Sequence, residues 1–465
     1  ISLLIFRKKK LNAVNIYDNY FSAPYTNLLK DLKKTPLINL ITFNITSLLK
    51  TTKNSIYNAI TNLVKLGFIS NENDIEEIRL ELGDLHFDNI MSILVITKSD
   101  KKFFLKSTPC EPADCFYKIC DELNIDYVRK DLLAITKNYT ISNFLAYEPI
   151  VANIENFYNR IGMLMAVATV LNLTDIHLEN LLVSSNSPVI LDFESLFTFR
   201  NTVSTINFDL SDKAITDIEL TLFVEEFNEK KAERSFISAL QGGEVRNKSY
   251  LYPFVLNDGT DNFIVKYRKL SNYKSHNRIC NNKGIVKPEQ YISIIEKAFK
   301  KTMEKVIKNK EKIKNILTKS YVNQFKYRYI IRPTGFYHFI YVRSWQPTEL
   351  ENPDAYWNVI AKKLENEQIK NFDKDIKKQI IKSEIMALKQ GLIPFFYRDG
   401  TSNNLFDFQN TVIKNTFLSS IFTCIQTKID KIDDKYIHEN LRALKNCLNS
   451  SKTINQKKLN QGWLQ

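Results

Sequence analysis

The chain has 465 residues, 44% of them hydrophobic and 25% charged, a globular balance that allows more than one buried core and excludes disorder on a large scale. Its 65 Lys and Arg against 51 Asp and Glu give a formal net charge of +14, which favours acidic or phosphorylated partners. The excess is spread over Lys-rich stretches such as 294–319 and carries no zinc-finger, RNP or helix-turn-helix pattern, so no nucleic-acid partner is expected.

Taken from the amino terminus, Ile1–Phe6 precedes Arg7–Lys10, the reverse of signal-peptide order, and no later window reaches the ~20 apolar residues of a transmembrane segment. Residues 11–80 read mainly as helix: PLINLITF and SIYNAITNLVKLGF repeat apolar side chains every three or four positions, with Gly67 as the stop. Residues 1–80 are therefore expected to be a helical amino-terminal region, the remnant of a longer one. Residues 84–106 are strand-like: a strand Ile90–Thr97, a turn Lys98–Lys102 and a return to Lys106, with Asp114–Leu123 as a helix beside them. This makes 81–150 a small lobe with 124–147 as its connector. Helix Ile154–Leu173, apolar along Ile161, Leu164, Met165 and Ala168, opens a large lobe spanning 151–465. Within it lie a polar, loop-bearing insertion around 201–287, marked by Asp258-Gly259 and Asn281-Asn282, and a long helix from about Pro288 to Ser320. A strand pair on either side of Pro333–Gly335 and a mostly helical end follow. The expected fold class is α+β and helix-rich, with no internal repeat.

The most informative stretch is Thr174–Ser195, TDIHLENLLVSSNSPVILDFES. Its apolar runs Leu181–Val183 and Val189–Leu191 flank turn chemistry at Ser184–Pro188, which predicts a hairpin that returns Asp192 beside Asn180. A single Asp or Asn near a hairpin is ordinarily a turn residue. A set is different: two oxygen ligands at neighbouring strand ends suit magnesium, which takes one or two carboxylates or amides and leaves the rest to water and phosphate. With Asp175 and His177 just upstream, the pattern is that of a phosphoryl-transfer site. Asp192 and Glu194 alternate with Phe193 and should share a strand face with Ile190, where two carboxylates repel unless a cation sits between them.

The segment resembles the catalytic loop and metal-binding strand of the dehydratase domain of class II lanthipeptide synthetases, the LanM enzymes, and more distantly those of lipid kinases. Three further segments match in order: Asp84 and His86 in GDLHFDN followed by Lys106 in FFLKS; Arg328 and Thr334 in YRYIIRPTGFY; and GLIPFFYRDGTSNNLF from Gly391. The resemblance implies a two-lobed lipid-kinase-like fold with added helical elements, using ATP and Mg2+, in which 81–150 is the nucleotide-covering lobe and 151–465 the catalytic lobe. On this reading Asp175 orients or deprotonates a Ser or Thr hydroxyl of a leader-bearing precursor peptide, Asn180 and Asp192 hold magnesium, and Lys106 neutralises phosphate oxygens. His177 holds the loop or the developing charge, and Glu194 joins the metal shell or supports it. Arg328 and Thr334 serve the elimination of phosphate that leaves dehydroalanine or dehydrobutyrine, with Arg328, Arg332 and Thr334 sharing a strand face, while Asp84 and His86 support both steps.

Six cysteines, Cys110, Cys115, Cys120, Cys280, Cys424 and Cys447, show no C-x-x-C pair, which points to a reducing, cytoplasmic setting without a zinc site. The family's zinc-dependent cyclase domain therefore has no counterpart here, so a separate cyclase or an exporter is an expected partner, and the chain reads as a fragment or a split enzyme. Asn89 and Ile90 stand where the family usually has Gly and a basic residue, and Ser107 and Thr108 where it has Pro and Arg; each change removes a phosphate contact. Two other readings stay open: a lipid or small-molecule kinase without elimination, and a non-catalytic module that binds a precursor peptide.

Overall fold

The computed structural model describes residues 36–80, 91–107, 111–127, 132–136, 139–199, 216–225, 237–242, 251–256, 264–269, 276–320, 326–343, 353–366, 369 and 372–460. Asp84, His86, Asn89, Ile90, Thr108, Cys110 and the Asp258-Gly259 turn lie outside them.

The amino-terminal sheet has five antiparallel strands in the order β1-β2-β3-β5-β4, formed by β1 (Ile75–Arg79), β2 (Ile93–Thr97), β3 (Lys102–Lys106), β4 (Leu132–Ile135) and β5 (Thr140–Asn143). Strand β2, ILVIT, is buried at all five positions, as a β-branched run covered on both faces should be. Helix Pro36–Lys65 packs Ala59 and Leu63 against Ile93, Val95, Phe103, Leu105 and Ile141. It is pinned there by polar contacts as well: Tyr139 donates to the Ser55 carbonyl at 3.0 Å, and the Met91 N–H to Ser55 Oγ at 2.8 Å. The helix stops where expected. Gly67 takes φ +73°, and the Phe68 and Gly67 N–H groups reach back to the Leu63 and Val64 carbonyls at 2.9 and 3.0 Å, a Schellman ending that needs a left-handed residue.

Two expectations for this region change. Residues 75–79 are an edge strand of the sheet, so the amino-terminal region is not wholly helical. Residues 132–135 and 140–143 complete the same sheet, which shortens the connector to the chain after Asn143. Both strands are four residues long, too short for alternation to stand out against the loop around them.

Beyond the connector, helix Ile154–Val170 is buried along most of its length, including Ile161, Leu164, Met165 and Ala168. It lies against helix Ile292–Lys308, and the approach is close at Gly162, where an added Cβ would stand 2.4 Å from the Ile295 carbonyl oxygen. The single helix expected from Pro288 to Ser320 is instead a 3-10 turn (Pro288–Gln290), helix Ile292–Lys308, a break at Asn309 and helix Lys310–Ser320. The described parts of the polar 201–287 stretch contribute to the same core. Ile218, Phe223 and Ala239 are fully buried in the same core, while β8 (Leu251–Leu256) with β9 (Ile264–Lys269), and β10 (Cys280–Asn281) with β11 (Gly284–Ile285), form two hairpins.

The last sheet is β12 (Tyr327–Arg328), β13 (Phe396–Arg398), β14 (Leu405–Asp407) and β15 (Val412–Ile413), in chain order. The residues directly after Pro333 are not a strand. Helix Thr334–Arg343 starts there, because proline cannot donate to a ladder whereas its fixed φ suits a helix start. Helices Pro353–Asn366, Lys374–Lys389, Ile421–Lys431 and Asp434–Asn460 complete the chain as described, and the fold is α+β. Among the described residues no helix is long and apolar enough to cross a membrane.

Candidate active site

The site is organised by the hairpin of β6 (Leu181–Ser184) and β7 (Ser187–Ile190). Its turn is tighter than the sequence suggested: only Ser185 and Asn186, at φ +48° and +61°, which is the two-residue geometry that matches strand twist. Pro188 sits inside β7 opposite Val183. The Val183 N–H donates away to the His276 carbonyl and its carbonyl accepts from Glu148, both at 2.9 Å, so this pair exchanges no ladder bonds and the missing proline N–H costs nothing. The Leu191 N–H then donates to the Asn180 carbonyl at 2.9 Å, bringing Asp192 one residue past Asn180. The strand ends at Ile190, however, so Asp192 and Glu194 stand in the following loop and not on a strand face. Phe193 holds that loop, its ring 5.1 Å from Phe116 and 5.3 Å from Tyr117.

The loop before β6 is held by its own polar groups. Asp175 has φ +61°, a left-handed conformation that costs a non-glycine residue of order 1 kcal/mol and marks a constrained position. Its carbonyl accepts from the His177 N–H at 2.9 Å and from the Asn180 side-chain N–H at 2.8 Å. His177 Nδ1 accepts the Glu179 N–H at 3.1 Å. From outside, the Thr221 and Ile237 carbonyls receive the Ile176 and Leu178 N–H groups at 2.9 and 2.8 Å. These two supports come from the stretch that read as an insertion. Their contribution is through backbone, so no side-chain pattern could have announced it.

Lys106, last residue of β3, reaches across from the amino-terminal sheet to place Nζ 2.9 Å from Asp192 Oδ2. The other Asp192 oxygen accepts the Glu194 N–H at 3.0 Å. Ser107, a departure from the family pattern, is occupied locally: its N–H donates to Ser92 Oγ at 3.2 Å. On the opposite side Arg328 forms an ion pair with Glu194 and a backbone bond to the Glu194 carbonyl at 3.2 Å. Its Nη2 lies 3.4 Å from Thr334 Oγ1, and its guanidinium stands over the Phe395 ring at 5.5 Å. β13, from the string that begins at Gly391, pairs Tyr397 with Arg328, so the last two of the four matching segments meet directly. Arg332 does not share the face of Arg328. It turns into a separate buried pair with Glu384.

Charge couples these groups. Burial, the dominant influence, raises the Asp175 carboxyl, with Asp192 adding to the rise and His177 and Arg328 opposing it. Burial also pushes on Asp192, but Lys106, the Glu194 N–H and Arg328 together hold its carboxyl below the ordinary range. Burial and the neighbouring Asp192 push Glu194 up to about 7 against Arg328 and Lys106. Neighbouring carboxyls whose surroundings push them in opposite directions are one arrangement by which like groups can take different acid and base roles.

The residues present fit a magnesium-nucleotide pair. Asn180 spends its side-chain N–H on the Asp175 carbonyl, which leaves its oxygen as the acceptor, and Asp192, against the push of burial, is held below the ordinary carboxylate range by Lys106. Among the described residues no group of three His, Cys, Asp or Glu side chains could hold a metal ion. Magnesium needs fewer than that when phosphate supplies the rest.

The match to known proteins is consistent with this geometry. Residues 37–399 match the family described as Domain of unknown function (DUF4135), and the chain belongs to that family. It is also 25% identical over 312 residues to the Lacticin 481/lactococcin biosynthesis protein LcnDR2 of Lactococcus lactis subsp. lactis, a match covering 64% of this chain and 32% of that protein. The chain is thus related to LanM-like lanthipeptide biosynthesis proteins and aligns with about a third of that relative's length.

Proposed function

From its place in this family, we propose that the chain is a LanM-like dehydratase, built on a two-lobed lipid-kinase-like fold, that phosphorylates Ser and Thr residues of a leader-bearing precursor peptide with ATP and then eliminates phosphate. The observation that carries the reading is one ion pair: Lys106 from the amino-terminal sheet and Asp192 from the loop after the β6–β7 hairpin meet at 2.9 Å beside Asp175 and the Arg328–Glu194 pair. A lysine and an aspartate brought together from separate elements, next to a strained aspartate, is what a phosphoryl-transfer site requires.

In this reading Asp192 and the Asn180 oxygen hold magnesium, which when bound neutralises phosphate charge, and Lys106 contacts phosphate oxygens as it leaves Asp192. Asp175, its backbone fixed by His177 and Asn180, orients the substrate hydroxyl and takes its proton. Arg328, with Thr334 at its side, neutralises the departing phosphate, the larger part of the barrier to elimination. Asp84 and His86 support both steps from the chain before β2. His177 braces the loop.

The test is incubation of the chain with ATP, Mg2+ and a Ser-, Thr- and Cys-rich peptide encoded beside it, read by mass spectrometry. Loss of one water per modified residue is expected. Gain of phosphate with no loss of water would instead support a kinase without elimination, and an unchanged but bound peptide a non-catalytic module.

A further inference from the structure

Arg332, Tyr337 and Glu384 form a closed arrangement just outside the site. Glu384 is fully buried in helix Lys374–Lys389. Its Oε1 accepts from Arg332 Nε at 2.8 Å and from the Tyr337 hydroxyl at 2.7 Å. Arg332 continues through Nη2 to the Leu364 carbonyl at 2.7 Å, and its guanidinium lies over the Phe336 ring at 5.1 Å. One carboxylate oxygen therefore ties down the chain on both sides of the turn 333–336, and Thr334 lies inside that turn. The arrangement is electrically close to the site, since the charge of Arg328 is felt at Tyr337.

A buried ion pair is a poor source of net stability, because the cost of taking both charges out of water rivals their attraction. It is a good source of direction. Its fixed bond geometry aims whatever backbone lies between its anchors, and a shift of about 1 Å in a reacting group can cost on the order of 100-fold in rate. Thr334 needs such aiming: its contact with Arg328 is long, 3.4 Å, and helix Thr334–Arg343 begins at that residue, where side chains alone do not fix the chain direction.

We infer that Arg332, Tyr337 and Glu384 are positioning residues that hold Thr334 against Arg328 for the elimination step, and that they are dispensable for phosphorylation. The inference rests on the dehydratase reading above. It deepens that reading by separating the support of its two steps: the contacts described for Lys106, Asn180 and Asp192 run to one another, to the Asp175 carbonyl and to the Glu194 N–H, not to Glu384.

The two half-reactions are to be measured separately for Tyr337→Phe and Glu384→Gln, phosphorylation on the unmodified peptide and elimination on a synthetic phosphoserine form of it. Elimination should fall by on the order of 10- to 100-fold while phosphorylation stays at the wild-type rate, so that phosphopeptide accumulates. A double variant, Arg332→Leu with Glu384→Met, guards against a trivial loss of folding. Apolar residues can replace a buried pair without loss of stability, so it should still fold cooperatively, with a midpoint lowered by the Tyr337 hydroxyl that loses its acceptor, and still accumulate phosphopeptide. Equal changes in both half-reactions, no change in either, or full elimination by the double variant would each overturn the positioning role while leaving the dehydratase reading intact. A wild-type chain that performs neither half-reaction would overturn both.

Discussion

Residues 174–195 and residues 326–343 face each other across the site, and they are built on opposite principles. The first sets its own path locally, with outside carbonyls only backing it: the Asp175 carbonyl, the Asn180 side chain, the two-residue turn and the Leu191 bond lie within twenty-odd residues of chain, and Thr221 and Ile237 support the loop from behind. The second has little local structure to hold it. Arg328 depends on Glu194, Tyr397 and Phe395, and the Thr334 turn depends on Glu384, all distant in sequence. A motif held by local bonds can be read from its spacing, whereas one held from a distance cannot.

The sharpest way to break this comparison is Asp192→Asn. It removes the carboxylate that Lys106 meets, and phosphoryl transfer should fall by on the order of 10²- to 10³-fold; near-normal phosphorylation of the peptide would remove the hairpin from the chemistry. Next comes Arg328→Ala. Elimination from a phosphoserine peptide should fall by about 100-fold while phosphorylation persists, and an equal loss of both would merge the two regions into one functional unit.

Two smaller effects concern the scaffold and the charge balance. Gly162→Ala would force a Cβ to 2.4 Å from the Ile295 carbonyl, and backbone cannot yield as a flexible side chain does. A stability loss of about 1–3 kcal/mol is expected, visible as a lower urea midpoint; an unchanged midpoint would mean that the helix pair tolerates separation. The smallest effect is in pH dependence. Glu194 holds its proton up to about 7 in the folded chain against an ordinary 4.5, so between these values the folded state binds more protons than the unfolded one. Stability contributed by this group is therefore present at the low end and lost as pH rises through the window. Asp192, held low, behaves oppositely: its contribution is present above its ordinary value of 3.8 and is lost only as pH falls further. Relative to Glu194→Gln, the nucleotide-free wild type should lose stability between about pH 5 and about pH 7.5; parallel denaturation curves would show that Arg328 keeps Glu194 ionised throughout.

Much of the fold's local detail was legible. The stop at Gly67, the apolar face of helix 154–170 and the return of the chain at Ser185-Asn186 all follow from φ requirements and apolar periodicity. The errors share a cause. Strands β4 and β5 read as a connector because four residues carry too little alternation. The segment after Pro333 reads as a strand because TGFYHFIYVR is rich in aromatic and β-branched residues, yet it folds as a helix. The backing of the Asp175 loop by Thr221 and Ile237 was invisible because carbonyl groups are the same in every residue.

By itself the sequence determined the groups available for chemistry and the order of its short-range structures, because dihedral preference and burial periodicity act over a few residues. Tertiary structure decided which charges meet. Lys106 faces Asp192, Arg328 faces Glu194, and Arg332, four residues further on, faces Glu384. The two arginines look alike in sequence. They separate because the strand ends at Arg328 and the chain bends at 331–332, ahead of the helix, and a buried charge settles wherever packing supplies its counter-ion.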